Sequence, residues 1–372
     1  MRVLFRVILY LIYLSVMGCE SPKKSNNGVV VTGYDSPSSQ VNLVDNIELI
    51  ELEFTHKSML TNIRKIDFVD SLIILQDEAC GILCFDRNGK FLNSISGKGR
   101  ASNEYIRLNT YAIDGDQVLI FDSYSNKIMR FYLNGMFIDS QRCAPGVLGE
   151  IHRVELLNDG RILQNNLLLG QDNNIYTILN TQNEKQNLLS TPMHSYSAGH
   201  FIGANPMTQN TDGVLMVRPF DNVIYRLSKF NNLEPAYTIA TTKKLAGDNV
   251  LSEQKEFSIM TYMELSDYFW GFTSIFDTDK YLVLSFFDND YFCLDKLTNQ
   301  IALLDNNITE DSTILPLINI LYSTPNQLIG VASPIKLHDY IEGNHLLSGS
   351  LTSTIEDMSL DINPVLVIYN LK

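Results

Sequence analysis

The stretch "DGDQVLIFDSYSNKIMRFYLNGMFIDS", residues Asp114–Ser140, contains three short apolar runs separated by polar turns. Runs of roughly four to seven residues that are rich in Ile, Val, Phe and Tyr are typical of β-strands rather than helices. The Asn134-Gly135 dipeptide between the second and third runs is typical of a tight hairpin, since it can supply positive φ angles. This stretch therefore predicts consecutive antiparallel strands.

The same plan recurs six times along the chain, and a polar turn marks each copy. The turn residues are Asp70, Asp116, Asp159, Asp212, Asp279 and Asn326. The second strand of a copy, such as "LIIL" or "VLIF", is continuously apolar, which indicates burial on both faces. Because sheets stacked face to face provide that environment, we predict an all-β protein: a six-bladed β-propeller of four-stranded antiparallel blades.

The two ends of the repeat region account for the number of strands. The sixth copy ends with its third strand, "PVLVIYNLK" (Pro364–Lys372), whereas "NIELIELEF" (Asn46–Phe54) precedes blade one and has no blade of its own. We therefore predict that this N-terminal strand pairs in the last blade and closes the ring. Apolar and acidic residues alternate well only from Ile50 onward, so the later half is expected to be the regular strand.

The N-terminus has the pattern of an export signal. Arg2 and Arg6 precede the apolar segment Val7–Met17, which is too short to span a bilayer as a helix. The following Gly18-Cys19 resembles the lipobox of bacterial lipoproteins, which implies cleavage before Cys19 and acylation of its sulfur; an ordinary signal peptide is the alternative. We expect residues 1–18 to be a lipoprotein signal peptide, 19–40 a flexible tether and 41–372 the propeller domain of a lipid-anchored cell-envelope protein.

The connector "SGKGRASNEYIRL" (Ser96–Leu108) after blade one contains glycines and a lysine, as phosphate loops do. A phosphate loop needs a helix N-terminus behind its glycines, and the strand-like "NTYAID" follows instead. Gly97-Lys98-Gly99 followed by Glu104-Tyr105 resembles the connector of bacterial six-bladed β-propeller lipoproteins, a group similar in form to NHL-repeat propellers. That group commonly has Pro-Gly where this chain has Ser102-Asn103. The resemblance implies the propeller fold and no particular catalytic residue.

The candidate site is one face of the propeller. Loops between second and third strands lie on the same face as the links between blades, around the mouth of the central channel. Carboxylates, arginines and aromatic rings there would suit a polar ligand such as a glycan or peptide, although solvated loops are polar in any case. The candidates are Arg100, Glu104, Tyr105, Asp122, Tyr124, His200, Arg218, Asp221, Trp270 and Asp288.

Several other site types find little support. A net charge of −14 without any run of Lys or Arg argues against nucleic acid. No metal or cofactor is predicted, because His194 and His200 have no third ligand nearby and Asp288–Asp290 lacks the Gly and Glu of a calcium loop. The sequence leaves disulfides open at Cys80, Cys84, Cys143 and Cys293.

One segment departs from strand periodicity. Apolar residues in Leu251–Trp270 recur at helical spacing, so a short inserted helix is predicted there. This insertion is also a candidate protein-docking surface, if it exposes an apolar patch.

Two main functions remain. The first is a membrane-anchored extracytoplasmic protein that binds a glycan, peptide or protein partner, with no catalysis evident. The second is an extracytoplasmic polysaccharide hydrolase or lyase that uses carboxylates at the channel mouth. The first is preferred because no G-x-S-x-G elbow or H-E-x-x-H helix occurs.

Overall fold

A computed structural model describes residues 28–35, 41–95, 97–166, 174–190, 203–245, 268–286, 290–304, 315–343 and 350–372. Within these ranges the main strands form six antiparallel sheets, each the four-stranded blade of a β-propeller, which confirms the predicted fold. The blades follow one another around a central channel. In every blade the strand nearest the channel is the first in the blade order, and the fourth lies at the outer edge.

Each blade can be given from the channel outward. Blade one contains β3 (Ile63–Val69), β4 (Leu72–Asp77), β5 (Gly81–Asp86) and β6 (Phe91–Ile95). Blade two contains β9 (Thr110–Asp114), β10 (Gln117–Asp122), β11 (Lys127–Tyr132) and β12 (Phe137–Arg142). Blade three contains β13 (Ile151–Leu156), β14 (Ile162–Asn166), β15 (Asn174–Leu179) and β16 (Lys185–Ser190).

The second half of the ring follows the same order. Blade four contains β17 (Met207–Asn210), β18 (Gly213–Met216), β19 (Val223–Ser228) and β20 (Leu233–Ile239). Blade five contains β23 (Ser274–Asp277), β24 (Tyr281–Phe286), β25 (Asp290–Asp295) and β26 (Gln300–Leu303). Blade six contains β27 (Ile320–Thr324), β28 (Gln327–Ala332), β29 (Val365–Leu371) and β2 (Val44–Glu51).

Shorter elements lie outside the blades: β1 (Val29–Val31), β7 (Gly97–Lys98), β8 (Glu104–Tyr105), β21 (Lys244–Leu245), β22 (Tyr268–Phe269), α1 (Pro334–Gly343) and α2 (Ser350–Glu356). β7 and β8 pair in parallel and form the connector from blade one to blade two. β21 and β22 pair in the same way between blades four and five. The connector therefore recurs in the structure where the sequence motif is no longer visible.

Apolar side chains pack between every pair of neighbouring blades. Six clusters of buried residues alternate with the six blades around the ring. One of them joins Phe85 of blade one to Leu366 and Ile368 of blade six, which is the junction between the two ends of the repeat region. Both faces of the inner strands of each blade are thus removed from water, as the continuously apolar second strands predicted.

Buried tyrosines add polar links across these junctions. The Tyr111 hydroxyl of blade two donates to the Ile74 carbonyl of blade one, and the Tyr176 hydroxyl of blade three bonds the Val217 carbonyl after β18. The Ile320 amide of blade six donates to the Tyr291 hydroxyl of blade five. Each ring contributes apolar area while its hydroxyl satisfies a backbone group that water cannot reach.

The ring closes as predicted, but along a different part of the N-terminal strand. β2 pairs antiparallel with β29 from Val44 opposite Leu371 to Glu51 opposite Val365. The earlier half of the segment is therefore the regular strand, and the expectation for Leu52–Phe54 is wrong. The cause is the buried Asn363 carboxamide, which donates to the carbonyls of Glu53 and Ser58 and accepts from the Leu60 amide at 2.7 Å. These bonds hold the chain in a loop that leads into blade one.

Part of the expected tether packs on the propeller. β1 adds in parallel to the outer strand β20 of blade four, with Val29 opposite Tyr237 and Val31 opposite Ile239. The Thr32 amide then donates to the Asn299 carbonyl of blade five. The flexible tether expected over residues 19–40 therefore does not extend through residues 28–35.

The helices also differ from expectation. α1 and α2 lie between β28 and β29, where no helix was predicted. Ser333 caps α1, because its hydroxyl accepts the Lys336 amide. Leu337 is the fully buried apolar residue of α1. Most of the helix predicted over residues 251–270 lies outside the described ranges, but its end at Tyr268–Phe269 is the strand β22. Among the residues of known placement, no helix is long and apolar enough to cross a membrane.

The cysteines Cys80, Cys84, Cys143 and Cys293 form no disulfide with one another. Cys84 and Cys293 are buried within strands as small hydrophobic residues, as their sequence context indicated. Cys80 is exposed, and its thiol donates to the Met59 carbonyl.

The Asn363 bonds give a test of ring closure. Asn363→Ala removes the partner of the Leu60 amide and of the Ser58 carbonyl and one of the two bonds to the Glu53 carbonyl, so we expect the free energy of unfolding to fall by about 3 kcal/mol. Urea denaturation measures the change. Asn232→Ala, at an exposed turn of blade four, should alter stability far less, and an equal effect of both changes would contradict the role of Asn363.

Candidate functional site

The side chains nearest the channel come from the first strand of each blade and from the links between blades. On the face of the second-to-third-strand loops, a cavity of about 270 Å³ opens between blades one, two and three. We call this opening the upper mouth. Its polar lining includes Arg64, Lys65, Gln76, Asp77, Glu78, Lys98, Arg107, Asn109, His152 and Arg153.

The upper mouth is basic although the chain is acidic. Its lining contains five arginine and lysine side chains and only two carboxylates, Asp77 and Glu78. The Asp77 carboxylate already accepts the amides of Asn62, Ala79 and Cys80. In a chain with a net charge of −14, this opening concentrates positive potential.

The exposed cations at the rim differ in how they are paired. Arg64 forms an ion pair with Glu78 at 2.8 Å, and the hydrogen bond from Arg64 lowers the pKa of the Glu78 carboxyl. Arg107 pairs with Glu150 at 2.9 Å. Lys98 makes no ion pair within the described ranges. Exposed pairs of this kind are weak, so an acidic ligand can compete for these cations.

Two groups lie deeper and are fixed by backbone carbonyls. The buried Arg153 guanidinium donates to the carbonyls of Ala204 at 2.8 Å and Arg64 at 2.9 Å, and therefore ties blade three to blades four and one. His152 binds the Gly203 carbonyl through Nε2 at 3.0 Å. Burial, with a further contribution from the Arg153 charge, lowers the pKa of His152 to about 3. His152 is thus neutral at physiological pH and donates from Nε2.

Charges reverse sign along the inner strands. On β3, Lys65 precedes Asp67, and on β13, Arg153 precedes Glu155; in each pair the cation is nearer the upper mouth. Residues two apart on a strand share a face, so both pairs line the channel. Both pairs also line a third cavity, of about 180 Å³. Lys65 Nζ lies 3.3 Å from Asp67 Oδ2 and donates to the Tyr111 carbonyl.

The opposite opening of the channel is acidic. This lower mouth has a volume of about 650 Å³, and its charged lining consists of three carboxylates, Asp67, Asp114 and Glu155, with Lys65 as the one cation, which it shares with the upper mouth. Removal of Glu155 from water, opposed by the nearby Lys65 charge, raises the pKa of the Glu155 carboxyl to about 7. The channel therefore joins a basic mouth to an acidic one.

Of the residues predicted from the sequence, Tyr105 lines the upper mouth. The buried Tyr105 hydroxyl occupies the space that a side chain at residue 81 would need, because a Cβ atom on Gly81 would lie 2.3 Å from the hydroxyl oxygen. The backbone of Gly81 also has a positive φ of 85°. Glu104 instead accepts the Ala101 amide within its own connector, and Arg100 projects into solvent. Neither Glu104 nor Arg100 lines the cavity.

Asp122 is buried and binds backbone amides of its own blade. Its buried carboxylate accepts the amides of Ile106 and Ser125 at 2.7 and 3.1 Å. Asp77 makes the equivalent bonds in blade one, so the aspartate at the end of the second strand holds the link that enters its own blade. These bonds occupy the carboxylate oxygens that the sequence interpretation assigned to a ligand.

Arg218 and Asp221 come together, but in a closed cluster of blade four. Arg218 Nε lies 2.5 Å from Asp221 Oδ2, which also accepts the Tyr225 hydroxyl at 3.0 Å. Arg218 further donates to the Ser190 carbonyl of blade three. The cluster joins two blades and does not line the upper mouth.

The remaining candidates divide into two groups. Trp270 is only 7% exposed, packs edge to face with Phe220 in the core between blades three and four, and does not line the upper mouth. Tyr124 is 68% exposed on the loop after β10, where the sequence placed it. His194, His200, Asp288 and Cys19 lie outside the described residues. Within the described ranges, no group of three His, Cys, Asp or Glu residues could hold a metal ion.

A family model with the description "Domain of unknown function (DUF4934)" matches residues 30–370. The chain belongs to the DUF4934 family. No curated protein sequence matches it. The DUF4934 match begins at the packed strand β1 rather than at residue 41. The lipoprotein part of the sequence resemblance stays a prediction.

Solved structures similar to this DUF4934 chain share its fold at low identity. A Bacteroides fragilis protein described as exported has a TM-score of 0.72 and 16% identity, over 93% of this chain and 99% of that one. A DUF4221 member from Bacteroides vulgatus has a TM-score of 0.53 and 9% identity, over 89% and 98%. Virginiamycin B lyase from Staphylococcus aureus reaches 0.44 at 13% identity, over 76% and 80%, which carries no argument about activity.

The residues that sequence reasoning missed are Lys65, Asp67, Arg153 and Glu155 of this DUF4934 domain. The signal was present: "IRKIDFV" and "IHRVEL" each place two opposite charges, two residues apart, on one face of a first strand. Because first strands line the channel of a propeller, such charges indicate a polar channel rather than a defective core strand.

The raised pKa of Glu155 has a measurable effect on stability. In the unfolded chain Glu155 releases its proton at lower pH than in the folded protein, so between about pH 4 and pH 7 the folded state binds more protons and stability falls as pH rises. Glu155→Gln should therefore stabilise the protein at pH 8 by about 2 kcal/mol and change little at pH 4.

Urea denaturation across this range is the measurement. Glu184→Gln, at an exposed carboxylate of blade three, is the matched control and should leave the pH dependence as it is. An unchanged pH dependence in Glu155→Gln would show that Glu155 titrates as an ordinary surface carboxylate.

Proposed function

We propose that this protein is a membrane-anchored, extracytoplasmic propeller that binds an acidic ligand at its upper mouth. The observation that carries the proposal is the excess of arginine and lysine around that opening in an otherwise acidic chain. A concave opening lined by one sign of charge focuses the field and raises the local concentration of oppositely charged molecules.

The arrangement suits a carboxylate better than a neutral group. Arg107 and Lys98 are exposed at the rim, and Arg153 lies below them in the same cavity. Arginine binds carboxylates through two parallel hydrogen bonds, and these charge-assisted bonds are stronger than neutral ones. Gln76, whose side-chain amide donates to the Asn109 carbonyl, adds a polar floor. The ligand class is therefore an acidic sugar or an acidic peptide.

Two observations support a location outside the cytoplasm. The sequence around Cys19 resembles a lipobox, and the Bacteroides fragilis protein of similar fold is described as exported. Acylation of Cys19 would attach the propeller to the cell envelope, since buried acyl methylenes supply the membrane affinity.

Hydrolysis or lysis of a polysaccharide is the second candidate function. The pKa of Glu155 is raised and a second carboxylate, Asp67, lies nearby, and paired carboxylates are what polysaccharide hydrolysis needs. Turnover of an acidic polysaccharide that is abolished by Glu155→Gln and Asp67→Asn would support it. If the purified chain shows no turnover, the second candidate function is rejected and the ligand-binding proposal is unaffected.

Binding by titration calorimetry tests the main proposal. Oligomers of galacturonic acid and glutamate peptides are compared with neutral galactose oligomers and glutamine peptides. We expect binding only to the acidic members of one or both pairs, with affinity falling as salt is added. Arg107→Gln should weaken binding about tenfold, which corresponds to the loss of one charge-assisted hydrogen bond.

Two controls make this test specific. Glu150→Gln releases Arg107 from its ion pair and should tighten binding, whereas Lys229→Gln removes a charge from blade four and should have no effect. Equal weakening by Arg107→Gln and Lys229→Gln would indicate only a general charge effect. Equal binding of acidic and neutral probes would refute the proposed ligand class.

The anchor has its own test. Cys19→Ser should move the protein from the membrane fraction to the soluble fraction, and mass spectrometry of the unchanged protein should show an acylated Cys19 at its N-terminus. Cys80→Ser, at an exposed cysteine of the propeller, is the matched control and should remain with the membrane. An unmodified N-terminus that precedes residue 19 would contradict the anchor without bearing on the upper mouth.

A further inference from the structure

Two turns on neighbouring blades expose large apolar side chains. Phe230 is 86% exposed at the turn between β19 and β20 of blade four, and Leu297 is 90% exposed at the turn between β25 and β26 of blade five. Within the described ranges, these are the two most exposed large hydrophobic residues. The corresponding turns of blades one and three have polar tips. Apolar side chains held this far into solvent mark a contact surface when they occur close together.

Both turns are held firmly in place. In blade four the Asn231 amide donates to the Ser228 carbonyl, and the Asn232 amide donates to the Ser228 hydroxyl. In blade five the Asp295 carboxylate accepts the amides of Leu297 and Thr298, both at 2.8 Å. The two apolar tips are therefore fixed projections, and their exposure does not come from a loose loop.

The N-terminal segment lies along the same two blade edges. Gly28 meets Pro235 and Ala236 of β20, only five residues from Phe230, and its φ of 77° permits this close approach. Thr32 then bonds the Asn299 carbonyl, two residues from Leu297. Because β1 runs parallel to β20, the first residue of β1 lies nearer the start of β20 than the last one does. Phe230 is in the turn that precedes this start.

The chain outside the structure sets how far this edge can lie from a membrane. Gly28 lies nine positions after Cys19 in the sequence. An extended chain covers at most about 3.5 Å per residue, so an acyl group on Cys19 holds Gly28 within about 30 Å of the bilayer. A flexible tether over all of residues 19–40 would let the propeller face the bilayer in any orientation. The shorter tether favours an orientation in which the edge of blades four and five faces the bilayer.

We propose that the edge carrying Phe230 and Leu297 rests against the lipid bilayer, with both side chains in its interfacial layer. This inference rests on the acylated Cys19 of the proposed function. An anchor of one or two acyl chains is strengthened by a second contact, and aromatic and aliphatic side chains at the headgroup level supply it. Lys229, exposed beside Phe230, can reach lipid phosphates from the same turn.

The orientation has a consequence for ligand access. Turns between third and fourth strands lie on the face opposite the upper mouth, because strands alternate in direction within each blade. Contact through blades four and five therefore leaves the upper mouth open to the medium. The basic opening lies between blades one, two and three, across the ring from the membrane contact.

Fluorescence quenching tests the contact, because the chain has a single tryptophan, Trp270, which is buried. The full-length acylated protein is reconstituted into vesicles of phosphatidylethanolamine and phosphatidylglycerol with brominated acyl chains. Phe230→Trp and Leu297→Trp each add one probe, and the signal of the parent protein is subtracted. We expect the added fluorescence at both positions to be quenched severalfold more than at the control positions.

Two matched controls fix the interpretation. Tyr124→Trp places a probe at a 68% exposed site of the upper face, and Met136→Trp places one at a 60% exposed turn of blade two. Quenching at residues 230 and 297 that does not exceed that at 124 overturns the proposal. Equal quenching at 136 also overturns it, since contact would then involve the whole lower face.

The proposal and the proposed function fail separately. Circular dichroism confirms that each variant is folded, and binding of the acidic probe at the upper mouth should be the same in Phe230→Trp, Leu297→Trp and Met136→Trp as in the unchanged protein. Loss of vesicle attachment by the unchanged protein would refute the membrane contact and its anchor. Intact probe binding under those conditions would leave the upper-mouth function standing.

Discussion

Seven backbone pairs between β2 and β29 hold the first main strand of the propeller against its last one. This contact turns a row of sheets into a ring, and the channel with its two mouths exists only because the ring is closed. The Asn363 carboxamide and the apolar cluster of Phe85, Leu366 and Ile368 continue the closure into blade one. Blades one to three contribute the upper mouth, so its geometry depends on a contact made by residues more than 300 positions apart.

The closed ring places ionisable groups where an open row of sheets would not. Lys65 and Asp67, like Arg153 and Glu155, alternate on inner strands and give the channel a basic and an acidic end. Charges in such a confined space are stabilised by pairing and by carbonyl contacts, as with Lys65 at Asp67 and Arg153 at Ala204. Lys98 and Arg107, which have weaker or no partners at the rim, are the cations that remain able to bind a ligand.

Local patterns predicted the blades and the closure, but contacts between distant residues decided the details. Strand length, Asn-Gly turns and the spare N-terminal strand were sufficient for the ring. The path of Leu52–Phe54 was not predictable, because the Asn363 bonds join segments about 310 residues apart. The bonds of Asp122 were not predictable, since its partners include backbone amides, which every sequence supplies. The membrane expectation named only Cys19, whereas the packed strand Val29–Val31 shortens the tether and gives it a direction.

The polarity of the channel can be measured directly by anomalous diffraction from crystals soaked in bromide. A bromide ion reports positive potential without any assumption about the natural ligand. This account predicts a bromide peak in the upper mouth, among Lys98, Arg107 and Arg153, and none in the lower mouth beside Asp67 and Glu155. Bromide bound in the lower mouth, or scattered over the surface with none in the upper mouth, would contradict it.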